Sequence, residues 1–342
     1  MKTLAAILVD TDRVVIDELQ IPLLRPGQVL VEIKYSGVCH TQLLEVRGHR
    51  GKDSYLPHCL GHEGSGVVVE IGDKVEKVKV GDHVILSWIK GSGANVAGST
   101  YDWKGKNVNA GAITTFSQYS VISENRLTPI PKEISFKDAA LLGCAIPTGL
   151  GVVFNTAKAK AGESLAVFGC GGIGLCAIQG AVIAGCFPII AIDLNDSKLE
   201  AAKAMGASHV INVLKEDPIE VLKKLGSLDY AIEASGSPIA MNQALKAVRS
   251  QGGTAIIVGN ARHGQQISID PKELNQGKKI LGTWGGENDP DIHYPHYCNL
   301  ILDGRLKPTL LTSDTYSLSQ IDTALAHLEQ GQVLRPLIEM AK

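Results

Sequence analysis

Three residues in this 342-residue chain carry side chains suited to a soft or borderline metal, one short of a tetrahedral set. Cys39 opens a Cys-His-Thr run, His62 sits in Gly61-His62-Glu63-Gly64, and Cys144 follows Gly143. Zinc favours thiolate and imidazole, and a catalytic zinc keeps three protein ligands so that substrate can take the fourth place. A Cys2His set with the Glu63 carboxylate beside it therefore points to Lewis-acid chemistry, provided the fold brings positions 39, 62 and 144 together. Sequence separation alone does not meet that condition.

A second constellation, Gly169-Cys170-Gly171-Gly172-Ile173-Gly174, satisfies Gly-x-Gly-x-x-Gly. With 37 glycines in the chain the pattern is weak by itself. Its context strengthens it, because it follows the apolar run Leu165 to Phe168 and opens a helical stretch. Glycines let backbone N–H groups approach a pyrophosphate, and the helix N-terminus favours its charge. Asp193 ends the next strand pattern, where an acid binds a ribose 2′-hydroxyl and repels a 2′-phosphate, so NAD is expected rather than NADP. Lys198 stands within reach of the same ribose.

The elements that must position these groups follow two patterns. Residues 1–145 read as short strands between turns, with Val29 to Ile33 and Gly66 to Gly72 the clearest, a barrel-like and mostly antiparallel region. From 146 to 284 strand and helix signals alternate. Leu165 to Phe168, Ile189 to Ile192, Tyr230 to Glu233 and Thr254 to Val258 are the strands, and Lys198 to Met205 is a helix stopped by Gly206. That alternation predicts a doubly wound parallel sheet. Residues 285–342 carry one helical pattern, Leu318 to Gln330, and a strand-like Pro336 to Glu339, and are expected to return to the first domain.

Composition narrows the function. The formal charge is −2, from 33 Lys plus Arg against 35 Asp plus Glu, which argues against nucleic acid as a partner. The longest apolar stretch, Ala177 to Ile192, is broken by Gln179, two glycines and Pro188, so it reads as a buried helix and strand rather than a membrane span. Seven cysteines without a Cys-x-x-Cys pair, behind an N-terminus with no signal-peptide pattern, point to reduced thiols in a cytoplasmic protein. Cys59, Cys170, Cys176, Cys186 and Cys298 are read as small buried apolar residues.

Together these residues resemble the zinc-containing alcohol dehydrogenases of the medium-chain dehydrogenase/reductase superfamily, in particular the branch of liver-type and glutathione-dependent formaldehyde dehydrogenases. The likeness rests on Gly37-Val38-Cys39-His40-Thr41, Gly61-His62-Glu63, Gly143-Cys144 with Thr148-Gly149, and Gly169 to Gly174, all in the family's order, and extends to Arg335. It implies a GroES-like catalytic domain (1–145 and 285–342) split around a Rossmann NAD-binding domain (146–284). Cys39, His62 and Cys144 would ligate the catalytic zinc, with Glu63 behind the metal and the Thr41 hydroxyl on the bound alcohol. His40 and Arg335 would contact the pyrophosphate and Thr148 the nicotinamide, with Val258 a further cofactor contact. The implied reaction is reversible hydride transfer between a zinc-bound alkoxide and NAD, giving an aldehyde or ketone. The alternatives are a reductase working from the aldehyde and an NAD-binding regulatory or scaffold protein without turnover. A small alcohol or aldehyde is the expected partner, with no membrane, in a homodimer or homotetramer.

The chain departs from the family in three places. The positions of its four structural-zinc cysteines hold Ser92, Asn95, Gly98 and Lys106, so one zinc per subunit is expected, with the Gly91 to Asn109 lobe held by hydrogen bonds. Leu44 stands where many relatives have a proton-relay histidine; His49, five residues on, is the substitute to consider, and release straight to water from the ribose and Thr41 is expected. Gln42 replaces an acid that orients the metal-bound histidine. Basic residues that would hold a glutathione carboxylate are not recognisable. Trp88, Trp284 and Asn260 are candidate pocket residues, both tryptophans being read first as core.

Overall fold

The computed structural model of the chain describes residues 1–312 and 314–340. It divides into two compact units, one of Met1–Cys144 with the segment from Asp289 onward, the other of Ala145–Asn288. The second break lies four residues later than the sequence suggests, for a local reason. Asn288 Nδ2 donates to Pro147 O at 2.6 Å and Asn155 Nδ2 to Gly286 O at 2.9 Å, tying residues 285–288 to the helix Ala145–Gly151 and the π-helical turn Val152–Ala157 after it.

The first unit is built around the strand Gln28–Gly37. Alternate residues of a strand face opposite sides, and here both sides are covered. Val29, Val31 and Ile33 enter one apolar cluster with Val68, Leu86 and Ile338, while Leu30 enters another with Ile7, Leu19 and Tyr101. Glu63–Ile71 and Tyr119–Ser123 pair antiparallel with Gln28–Gly37, and Leu337–Glu339 returns from the C-terminal segment to pair with it as well. Five further strands among the described residues close a small barrel: Lys2–Asp10, Arg13–Gln20, Thr100–Trp103, Lys106–Asn109 and His58–Cys59.

The C-terminal segment holds a helix that the sequence pattern does not reveal, Pro290–Leu302, ahead of Ile321–Glu329. Its start signal is nonetheless present. Asp289 caps it by accepting from Asp291 N at 3.0 Å, and Pro290 takes the first turn, where its missing N–H costs nothing.

In the second unit six parallel strands follow the order His209–Asn212, Ile189–Asp193, Leu165–Phe168, Tyr230–Glu233, Thr254–Ile257, Lys279–Gly282. All four residues of Leu165–Phe168 are buried, as expected of a strand covered on both faces. The chain leaves this strand toward one edge and later returns to its other side, and that reversal is where a doubly wound sheet takes its ligand. Among the described residues no single helix is long and apolar enough to cross a membrane.

Candidate active site

The fold brings the three expected metal ligands together in the first unit. One ligand atom from each of Cys39, His62 and Cys144 lies within 4.8 Å of the other two. Cys39 occupies the position just before the helix His40–Val46, His62 precedes the strand Glu63–Ile71, and Cys144 follows the short turn Leu141–Gly143. Two glycines make the approach feasible. A Cβ on Gly143 would stand 2.4 Å from Leu86 O and 2.8 Å from Glu63 Cα, and one on Gly37 would stand 2.2 Å from Glu63 Oε1. The Gly143 carbonyl is fixed by Ser87 Oγ at 2.8 Å, itself 2.7 Å from the hydroxyl of Tyr294 on the Pro290–Leu302 helix. Sequence reasoning missed both supports, because neither residue belongs to a motif.

The electrostatics of the trio fit a divalent cation. The hydrogen bond from Cys144, with Arg335 and His62 nearby, holds the Cys39 thiol well below its usual range, whereas the same contact and burial push Cys144 well above it. Two adjacent buried thiols resist ionising together unless a positive ion lies between them. Burial opposes a charge on His62, but the Cys39 thiolate raises it overall. The residues present therefore suit zinc in both chemistry and spacing.

The surrounding groups fall partly as expected. Gln42 is 2% exposed and its amide meets His62 Nδ1, so the neutral amide does reach the imidazole, and Nε2 is the ring nitrogen left for a metal. The Gln42 Oε1 atom is buried with no partner. Thr41 is half-buried, its hydroxyl 3.7 Å from Cys39 Sγ. Glu63 is fully buried, and Arg335, expected on a pyrophosphate, is 3% exposed with Nη2 donating to Glu63 Oε1 and Nε without a partner. His40 is exposed. Leu44 is buried, and His49 N closes the same helix end on Leu44 O at 2.8 Å. Trp284, read as core, is 73% exposed; it follows the outermost strand of its sheet, where nothing in its own unit buries it. Trp88 is half-buried and Asn260 exposed.

In the second unit the glycine turn follows Phe168 and the helix Gly172–Ala184 begins at once, with Ile173 half-buried in its first turn. The three fingerprint glycines answer to different constraints. Gly169 has φ +95°, Gly174 would place a Cβ 1.9 Å from Gly169 O, and a Cβ on Gly171 would meet nothing within 4 Å. Protein packing thus demands the first and third but not the second, and space kept clear at Gly171 suits a ligand approaching the backbone. Asp193 accepts from Cys170 N at 2.7 Å and Asn195 N at 2.9 Å, locking the turn. Lys198 lies close enough to act electrostatically on Cys170. Val258 N bonds to Glu233 O at 2.8 Å. Thr148 is 5% exposed and its hydroxyl has no partner, a buried polar atom that a cofactor amide would satisfy. These features fit a dinucleotide.

The lobe without cysteines is tied down by a carboxylate. Glu124, 3% exposed, accepts from Ala94 N at 2.7 Å, Glu76 N at 2.9 Å and Lys77 N at 3.0 Å. Burial opposes its charge, but those N–H groups and Lys77 hold its carboxyl below the usual range. Asn125 Nδ2 reaches Asn95 Oδ1 at 3.2 Å and Gln28 Nε2 reaches Ser99 Oγ at 3.0 Å.

Beside His62 and Gln42 opens a cavity of about 480 Å³ whose wall includes Leu60 and Ile113 and, toward solvent, Arg50, Lys52, Asp53 and His58. Trp88 is not part of this wall.

A Cys2His cluster in a barrel-bearing unit and an open glycine turn in a doubly wound unit define a metal- and dinucleotide-dependent dehydrogenase. Residues 25–132 match the alcohol dehydrogenase GroES-like domain and residues 172–299 the zinc-binding dehydrogenase domain. The chain is 34% identical to the S-(hydroxymethyl)glutathione dehydrogenase of Synechocystis sp., covering 99% of this chain and 100% of that one. It is also 34% identical to the enzyme of that name from Haemophilus influenzae, covering 94% and 92%. Among solved structures it is similar to benzyl alcohol dehydrogenase from Acinetobacter calcoaceticus (30% identity, TM-score 0.91, 100% of both chains) and to 2R,3R-butanediol dehydrogenase from Bacillus subtilis (26%, 0.81, 98% and 99%). The chain belongs to the zinc-dependent alcohol dehydrogenase family of medium-chain dehydrogenases/reductases, and it is an enzyme of reversible, NAD-dependent alcohol oxidoreduction.

Proposed function

We propose that Cys39, His62 and Cys144 hold the catalytic zinc and that the substrate is a primary or secondary alcohol of moderate size. The observation that carries this is the meeting of three ligand atoms within 4.8 Å from positions far apart in sequence. When bound, zinc supplies a Lewis acid that favours ionisation of an alcohol hydroxyl, and NAD supplies the hydride acceptor.

The chain's own residues do the rest. Two amide orientations of Gln42 are isosteric, and with His62 Nε2 turned to a metal only the one placing Oε1 on Nδ1–H satisfies both groups. Gln42 then fixes the tautomer and tilt of the imidazole. Glu63 and Arg335 form a buried ion pair beside the two thiols, which balances charge where no water can screen it. The Thr41 hydroxyl accepts a hydrogen bond from the alcohol and relays its proton by passing its own on, and with Leu44 in place of an imidazole that proton leaves toward solvent rather than along that helix. Gly171 gives the pyrophosphate access to backbone N–H groups, Asp193 takes the adenosine ribose with Lys198 beside it, and Thr148 and Val258 meet the nicotinamide end. His40 and Arg335 are kept as pyrophosphate donors on the resemblance, Arg335 through the Nε its ion pair leaves unused.

The same reading includes a homo-oligomer, supported by Leu281, 41% exposed on the edge strand Lys279–Gly282, with Trp284 just beyond it. It also includes a reducing, cytoplasmic setting, with which seven buried cysteines that form no disulfide agree. The test is NADH formation at fixed NAD across a panel of alcohols, with and without a chelator. Turnover that survives complete zinc removal would sink the metal assignment, and NAD binding without turnover on any alcohol or aldehyde would sink the reaction.

A further inference from the structure

We infer that Glu233 is a positioning residue for the nicotinamide half of the cofactor and leaves the adenosine half alone. This rests on the proposed seat of the adenosine ribose at Asp193. Asp193 ends the strand on one side of Leu165–Phe168, and Glu233 ends the strand on the other, paired in register with Phe168 and Ile257. A dinucleotide that starts at Asp193 and crosses the glycine turn therefore carries its second nucleotide over the ends of Tyr230–Glu233 and Thr254–Ile257. One fully buried side chain organises the turns that leave those two strands. Glu233 Oε1 accepts from Ser235 N at 2.8 Å, Ser235 Oγ at 2.6 Å and Gly236 N at 2.8 Å. The backbone carbonyl of the same residue accepts from Val258 N at 2.8 Å and Gly259 N at 3.0 Å. The two turns are then packed backbone to backbone. A Cβ on Gly259 would stand 2.2 Å from Gly236 N and 2.7 Å from Glu233 Oε2, and one on Gly236 would stand 2.4 Å from Asn260 O. Ser235 and Asn260 are exposed, so the backbone that a ligand meets there is set from beneath by a carboxyl that no ligand touches. That carboxyl is not a comfortable core group. Oε2 is buried with no partner, and burial pushes the acid up against the pull of its N–H donors. The glycine turn has anchors of its own, Gly169 N on Ile192 O at 2.8 Å and Cys170 N on Asp193 at 2.7 Å. Loss of the Glu233 clamp should therefore reach one half of the cofactor and not the other.

The test titrates NADH and AMP separately into the zinc-loaded protein by calorimetry. Glu233→Leu keeps the bulk of the side chain and removes the acceptor of Ser235 and Gly236. If about one molecule in ten then holds the turn in place, the Kd for NADH rises about tenfold, while that for AMP should stay within about twofold. Glu233→Gln keeps an acceptor at Oε1 and should bind NADH as the wild type does. Ser235→Ala removes one of the three donors without disturbing the core. It should weaken NADH about threefold with AMP unmoved, and it decides the matter if Glu233→Leu does not fold. A carboxyl that served stability alone would lower Tm and leave the ratio of the two affinities where it was. An equal shift for both ligands, an unchanged Kd for NADH, or a Glu233→Gln protein as weak as Glu233→Leu overturns the inference. Asp193→Ala separates this from the reading beneath it, since it should weaken AMP and NADH alike. AMP indifferent to Asp193→Ala would mean that the adenosine half lies elsewhere, and the proposed seat would fall, the inference with it.

Discussion

Replacing Gly171 and Gly174 separately by alanine should split two roles that the fingerprint Gly-x-Gly-x-x-Gly runs together. Gly171 has φ −78° and ψ −170°, an extended conformation open to any residue, and an added Cβ meets no atom within 4 Å. Gly171→Ala should therefore leave the folded protein within about 0.5 kcal/mol of wild type, with a slight gain from the less flexible unfolded chain. Gly174 differs. Its Cβ would lie 1.9 Å from Gly169 O and 3.2 Å from Val167 Cγ1, and the first of these is backbone. The helix must move off the sheet, an overpacking cost of about 1–3 kcal/mol, or a fall in Tm of roughly 2–10 °C for a domain of this size.

Binding should show the opposite order. A methyl group at Gly171 stands where a pyrophosphate must meet backbone N–H groups, so NADH affinity should fall at least about tenfold, or 1.4 kcal/mol. For Gly174→Ala the loss of stability should exceed the loss of affinity. The assays are thermal unfolding of the protein without cofactor and NADH fluorescence titration. The reasoning fails if Gly171→Ala loses as much Tm as Gly174→Ala, or binds NADH as tightly as wild type.

Two further outcomes follow from the metal site. Gln42→Leu removes the partner of His62 Nδ1 and should weaken zinc retention about 10- to 100-fold; chelator competition that shows no change refutes the orienting role. Metal analysis of the purified protein should give one zinc per chain, since Ser92, Asn95, Gly98 and Lys106 offer no thiolate, and two tightly held ions would contradict that count.

How much was legible in the sequence depended on where each element sits. Leu165–Phe168 and its flanking strands were readable because central parallel strands are buried on both faces and so are apolar throughout. The two strands no pattern marked, His209–Asn212 and Lys279–Gly282, are the two edges of that sheet. An edge strand needs fewer apolar residues, and Lys279, exposed, is the kind of residue that guards one. The helix Pro290–Leu302 was hidden differently. Its buried positions are Pro290, Tyr294, Tyr297 and Cys298, which follow a helical period, but proline, tyrosine and cysteine are not types that a search for apolar periodicity weights. In the site, ligand types and motif order pointed to Cys39, His62 and Cys144, whose ligand atoms the fold does bring together. Ser87 and Tyr294 could not be found that way, since their supporting contacts come from which segments the folded chain lays beside one another.

The Gly91 to Asn109 lobe contains no cysteine, which bears on what should unfold it. A metal-thiolate lobe opens when a chelator takes the metal, whereas here a buried carboxylate gathers backbone N–H groups from residue 94 and from residues 76 and 77. Because Glu124 has its folded pKa held below the ordinary value of 4.5, with burial opposed by those N–H groups and Lys77, its contribution is present in full above that value. It fades as pH falls through the lower folded value. Glu124→Ala leaves three N–H groups without their acceptor, a cost of about 3 kcal/mol at neutral pH, and should bring early proteolytic cleavage between residues 92 and 98. The wild-type lobe should become susceptible only in acid, below about pH 4.5, and Glu124→Ala should have lost that pH dependence. A chelator should abolish turnover at pH 7 while leaving cleavage of the lobe unchanged. If instead the chelator opened the lobe as readily as acid does, a metal would be holding it and the carboxylate account would be wrong.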